Sequence, residues 1–271
     1  MARSSRIFPS LSAVDLHVRE QGAPDGPPVV LLGALGTDLS LWDGVVARLP
    51  GALRLIRLDL RGHGASPAPP GPYGMGALVR DAEQTLEARG VREAVLVGAC
   101  LGGMVAQGLA VKRLDQVRAL VLTGTAAKLG QAAPWQARAE AVRNSGMAVF
   151  ANEMLPLWMG PRAQVGHVAA IRKMLLRAAP EGIAACCAAM AGTDFYTPTS
   201  GLRLSTLGLA GFEDRFTPPD LQRETVELIP GARFHLMRRS GHLPMLDDAE
   251  GFAAHLTRFL ADQGLCKPVA D

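Results

Sequence analysis

Cysteine is scarce in this 271-residue chain, which carries only Cys100, Cys186, Cys187 and Cys266. Their spacing fits neither a zinc pattern nor a disulfide framework, so no metal is expected and a reducing compartment is the default. An excess of one charge is missing too. A formal net charge of +3 gives no reason to expect nucleic acid or an anionic membrane as partner. No apolar run is long enough to span a bilayer, and residues 1–6 lack the apolar core of a secretory signal. Internal repeats and low-complexity tracts are absent as well. Together these absences predict a cytoplasmic protein whose partners are small molecules.

Hydrophobic residues make up 48% of the chain, enough for a large core, and α/β chains of this length often form one unit with an insertion. Strand patterns occur at residues 13–19, 29–32, 53–60, 94–97, 118–123, 204–210 and 233–238. Helical spacing occurs at 41–49, 76–89, from the fourth strand's end to about Lys112, and at 250–262. Trp42 is expected to pack inward. Strands that alternate with helices argue for an α/β fold with a mostly parallel central sheet flanked by helices. Between 125 and 200 strand patterns give way to helical segments rich in Ala, Met and Arg, broken by Pro134, Pro156, Pro161 and Pro180. The reading is a core of residues 1–124 and 201–271 with a helical cap, 125–200, inserted into it.

The most informative stretch is Ala94-Val95-Leu96-Val97-Gly98-Ala99-Cys100-Leu101-Gly102-Gly103-Met104. A buried strand runs straight into a turn of small residues and then a helix. Glycines flank Cys100 where a Cβ would strike the neighbouring strand and helix, which is the layout of a nucleophile elbow. The nucleophile position lies at a helix N-terminus, where free N–H groups and the helix dipole favour an anion. A buried cysteine is ordinarily packing, but this turn assigns Cys100 to the nucleophile position.

Chain order extends the pattern. Past the strand at 204–210 come Glu213 and Asp214, and past the strand at 233–238 comes Ser240-Gly241-His242. Parallel strands end at one edge, so the three loops can converge there. Cys100, Asp214 and His242 form the expected triad: thiolate nucleophile, carboxylate that fixes the imidazole, and proton carrier. Glu213 is the competing acid. The oxyanion hole is expected from the backbone N–H groups of Leu101 and Leu35. His63, His17, His167, His235 and His255 read as structural. Met154 and Met190 read as packing or as pocket lining.

In these motifs the chain resembles the α/β-hydrolase superfamily, and within it the 3-oxoadipate enol-lactonase group. The general motifs are Asp59-x-Arg61-Gly62-His63-Gly64-x-Ser66, the elbow, and Gly241-His242. The narrower match lies in residues 35–42, 70–73 and 125–130, in Trp135, and in 180–189. The resemblance implies an α/β-hydrolase fold and hydrolysis of a small, carboxylate-bearing enol-lactone, with no cofactor. It also implies a cap that supplies a cation and apolar walls. Arg138, three residues after Trp135 on a helix face, is the candidate cation, the alternative being an arginine facing solvent. Family members carry serine where Cys100 stands, polar residues in place of Gly33 and Ala34, and an arginine in place of Ala191.

Three functions fit these residues. The first is hydrolysis of a small carboxylic ester or lactone through a covalent acyl-enzyme. The second is thioester hydrolysis or acyl transfer, because a thioester reacts readily with thiols and amines. The third is ligand binding on a hydrolase scaffold with little catalysis. A cysteine introduced in place of serine to trap an acyl species would leave the same sequence.

Overall fold

The structure is a computed structural model that describes residues 13–267. Residues 1–6, in which a signal segment was sought, lie outside the described residues. Seven strands form one sheet: β1 (Val18–Gly22), β2 (Pro28–Leu32), β3 (Arg54–Leu58), β4 (Ala94–Ala99), β5 (Val117–Thr123), β6 (Ser205–Gly211) and β7 (Arg233–Met237). Their order is β1-β3-β2-β4-β5-β6-β7. Only β1 runs antiparallel to its neighbour; every other pair is parallel. This is the mostly parallel α/β sheet that the sequence predicts.

The centre of the sheet explains its own sequence. β2 and β4 pair in parallel, and Val29 to Leu32 and Val95 to Val97 have no exposed surface. Covered on both faces, such strands need no polar alternation and read as continuous apolar runs. The edges behave differently. β1 lies about five residues later than the pattern at 13–19, because pairing of Val18 with Leu58 through Gly22 with Arg54 sets its bounds. An exposed edge strand offers little apolar alternation by which to locate it.

Eleven helices accompany the sheet among the described residues. The first seven are α1 (Asp43–Val46), α2 (Met75–Ala88), α3 (Leu101–Lys112), α4 (Ala132–Ser145), α5 (Met147–Trp158), α6 (Val165–Arg177) and α7 (Pro180–Ala191). The last four are α8 (Tyr196–Ser200), α9 (Pro219–Glu227), α10 (Pro244–Asp247) and α11 (Ala249–Asp262). Buried α3 packs on β2, β4 and β5. The helix expected at 41–49 is shorter: a 3-10 turn, Leu39–Trp42, leads into α1, and Trp42 is fully buried. Helix α9 lies where the sequence pattern gave no element; Pro219 occupies its first turn, a position where a missing N–H is harmless.

Helices α4 to α8 fall between β5 and β6, where a cap was expected. Helix α4 packs on α7, and α5 on α6. Two seams fasten this group to the sheet. At one, the Tyr73 N–H donates to Ala185 O at 3.2 Å, and the Cys186 thiol lies 3.5 Å from Arg61 O. At the other, the end of α5 meets the loops after β6 and β7: Arg215 N–H donates to Leu157 O at 3.2 Å and His242 N–H to Trp158 O at 2.8 Å. Among the described residues no single helix is long and apolar enough to cross a membrane; α6 and α7 qualify only as a pair, and they meet at 99°.

Candidate active site

β4 delivers Cys100 at a sharp bend. The residue has φ 50° and ψ −115°, a left-handed conformation costing roughly 1–3 kcal/mol for a side chain bearing a Cβ, and it directly precedes α3. Cys100 N–H donates to Thr123 O at 3.0 Å, and Thr125 Oγ1 donates to Cys100 O at 2.7 Å. The bend is thus tied to the end of β5. Flanking glycines make room: a Cβ on Gly98 would lie 2.5 Å from Gly102 O, and one on Gly102 would lie 2.4 Å from Leu32 O. Gly102→Ala is therefore expected to destabilise the protein by on the order of 4 kcal/mol or more. A melting curve matching the parent would refute that steric account.

The residues from which the oxyanion hole is expected lie at this close approach. Gly102 N–H donates to Gly33 O at 3.1 Å, stapling the turn after β2 to the start of α3. Leu35 and Leu101 are buried, and neither backbone N–H donates to another described residue. Buried N–H groups without a partner are uncommon. These two, on adjacent parallel strands' exits, are the pair expected to face an oxyanion.

His242 arrives on the loop after β7 and Asp214 on the loop after β6. Asp214 Oδ2 lies 2.8 Å from His242 Nδ1, while its Oδ1 accepts from the N–H groups of Phe216 and Thr217, each at 2.8 Å. Glu213, the competing acid, turns away and pairs with Arg162 at 3.2 Å. Burial of the imidazole opposes its charge and is the largest single influence. The Asp214 carboxylate, its hydrogen bond and the nearby Cys100 together overcome that and push the ring up to about 10. Nε2 is buried with no hydrogen-bond partner of regular geometry, so it is left for a reacting group. Burial pushes the Cys187 thiol up to about 12 and Cys186 well above the usual range, so both stay protonated.

The remaining histidines stand apart from this pair. His17 meets Asp59 at 2.8 Å, His235 and His255 lie ring to ring at 3.7 Å, and burial keeps His63 neutral at its turn. His167 lies 3.9 Å from Asp247. Among the described residues no group of three or more His, Cys, Asp or Glu could hold a metal ion.

The chain that carries this arrangement is similar to known proteins. Residues 11–255 match the alpha/beta hydrolase family. The chain is an α/β hydrolase. It is 32% identical over 207 residues to 3-oxoadipate enol-lactonase 2 of Acinetobacter baylyi, covering 75% of this chain and 78% of that one. Its fold superposes with a TM-score of 0.86 on the enol-lactonase of Burkholderia xenovorans, 31% identical, covering 92% of this chain and 99% of that one. It superposes equally, at 0.86, on a thermophilic esterase of Thermogutta terrifontis solved with malate bound, 30% identical, with 91% and 93% covered.

Around its imidazole this hydrolase builds an aromatic wall that the sequence revealed only in part. Trp158, at the end of α5, stacks on the His242 ring with centroids 5.1 Å apart and planes 23° apart. Phe216 meets the same ring edge-on at 5.1 Å and continues to Trp135 at 5.8 Å. Gly124, at φ 53°, lets the ring approach, since a Cβ there would lie 3.0 Å from His242 Nδ1. Arg138 lies 4.8 Å above the Trp135 ring, as the helix spacing predicts, and pairs with Glu153 at 2.9 Å. Met154 and Met190 are buried. Of this wall the sequence singled out Trp135; Phe216 follows the acid on the loop after β6, and Trp158 and Glu153 reach the site through packing of α5.

Proposed function

We propose that this hydrolase opens a small carboxylate-bearing ester or lactone, of the 3-oxoadipate enol-lactone kind, through a thioester on Cys100. The observation that carries the reading is the meeting of three strand ends: a cysteine held at left-handed φ at a helix N-terminus, and an imidazole bonded at 2.8 Å to a buried carboxylate. The Cys100 thiolate attacks the carbonyl carbon while Leu35 and Leu101 N–H groups receive the developing oxyanion. As the tetrahedral species collapses, the C–O bond to the leaving group breaks and the His242 imidazolium gives that oxygen its proton. In a lactone the leaving enol stays attached to the acyl chain. Neutral His242 then takes a proton from water, and the hydroxide attacks the thioester. Cys100 leaves as thiolate, the ring is imidazolium again, and the product carries a new carboxylic acid.

Residues 125–200 act as a cap over the sheet core, whose described parts are 13–124 and 201–267. Cys100 and His242 are wholly buried, so substrate entry requires that cap to move. Its cation is Arg138, which with Trp135 forms the seat for the substrate's own carboxylate. The malate-bound Thermogutta relative supports a carboxylate ligand, and the two enol-lactonases support the lactone.

Two esters of equal length test the seat: monomethyl adipate, which ends in a carboxylate, and methyl hexanoate, which does not. Arg138→Gln is expected to lower kcat/KM for the first by roughly tenfold or more, the range of a hydrogen bond to a charged group, and to spare the second. Equal loss on both, or no loss, would overturn the seat.

A further inference from the structure

Arg138 is held by a neighbour that is itself a carboxylate. Its Nε donates to Glu153 Oε1 at 2.9 Å, bridging α4 and α5. Its two Nη groups make no hydrogen bond to any described residue. The guanidinium lies 4.8 Å from the Trp135 ring and 5.9 Å from Phe216, and Phe216 in turn stands against the His242 ring. One aromatic ring therefore separates the cation from the imidazole, and the Nη pair is the edge a planar carboxylate can take with two bonds.

Exposure differs between the partners. The Arg138 side chain is 16% exposed and that of Glu153 43%. Two aromatic rings hold the arginine, whereas Glu153 reaches it from the solvent side and can return there. An ion pair this open is weak, so exchanging Glu153 for another carboxylate lowers affinity by no more than about fivefold.

We propose that Glu153 is a built-in competitor of the substrate: it holds Arg138 until a substrate carboxylate takes its place, and so sets how strongly the site prefers anionic over neutral acyl chains. The proposal rests on the reading of Arg138 as the carboxylate seat. Its logic is charge balance. With Glu153 present the seat is neutral overall, so an uncharged chain meets no bare cation. Without that negative charge the seat favours anions more strongly, and the penalty for leaving Arg138 unmatched falls on neutral chains.

Glu153→Gln keeps the shape and removes the charge. With the same two esters, the variant is expected to lower KM for monomethyl adipate about two- to fivefold, to leave KM for methyl hexanoate unchanged or higher, and to leave kcat for both unchanged. Adipate, added as a dicarboxylate competitor, is expected to bind tighter by the same factor. In an Arg138→Gln background the second substitution is expected to change nothing. If Arg138→Gln abolishes the preference for the anion while Glu153→Gln leaves it unchanged or weaker, the competitor role is overturned and the seat stands. If Arg138→Gln leaves the preference intact, the seat falls and this inference with it.

Discussion

Replacing Cys100 with alanine is expected to lower ester turnover by roughly four orders of magnitude or more, because covalent catalysis ends with the sulfur. Folding should survive, since alanine is smaller than cysteine at a position where the strain belongs to the backbone, φ 50°, and not to the sulfur. The expected result is a normal melting curve with turnover near background. Parental turnover in the alanine variant would mean that Cys100 is packing. Cys100→Ser is the informative companion. A hydroxyl does not ionise in this range, so serine needs a neutral imidazole, while Asp214 still favours the charged ring after the Cys100 contribution is gone. Activity of the serine variant is therefore expected to climb with pH.

Asp214→Asn has an effect of similar size for a different reason. In a triad the carboxylate fixes the imidazole tautomer and stabilises its charged form, and amide replacement costs roughly 10⁴-fold in kcat. Here there is a second consequence. Burial works against the His242 charge more strongly than any other single influence, and Asp214 heads the groups that oppose it. Removing that carboxylate leaves desolvation largely unanswered, so the imidazole's affinity for protons falls. The sign follows from the active form. A thiolate–imidazolium pair is lost on the alkaline side when the ring deprotonates, near pH 10 in the parent, and that limb of the kcat/KM profile must move to lower pH in Asp214→Asn. An alkaline limb that stays near 10 would show that some other group charges the ring.

Much of this was legible in the sequence, for identifiable reasons. The buried strands β2 and β4 announce themselves because, covered on both sides, they tolerate only apolar side chains. The elbow is legible because its sterics demand glycines at fixed offsets from Cys100, and the Asp214 and His242 loops because each follows a strand of the same parallel sheet. Edge strand β1 was misplaced by several residues, since its partner and not its side chains sets its bounds. Helix α9 was missed because Pro218-Pro219 reads as loop until one sees proline serving as a helix start. The aromatic wall was the least legible. Trp158 touches His242 only because the end of α5 packs against the loops after β6 and β7, and no local spacing encodes a contact between residues so far apart. Glu153 is ordinary among the charged residues of the insertion until the structure places it on Arg138.

The most direct test is the mass of the peptide that carries Cys100, recovered by acid quench at intervals during turnover of an activated ester. The account predicts that this peptide gains the acyl group in a thioester labile to hydroxylamine, and that the gain disappears in the alanine variant. An acyl group found on another residue, or full turnover with the Cys100 peptide unmodified at every quench time, would contradict it.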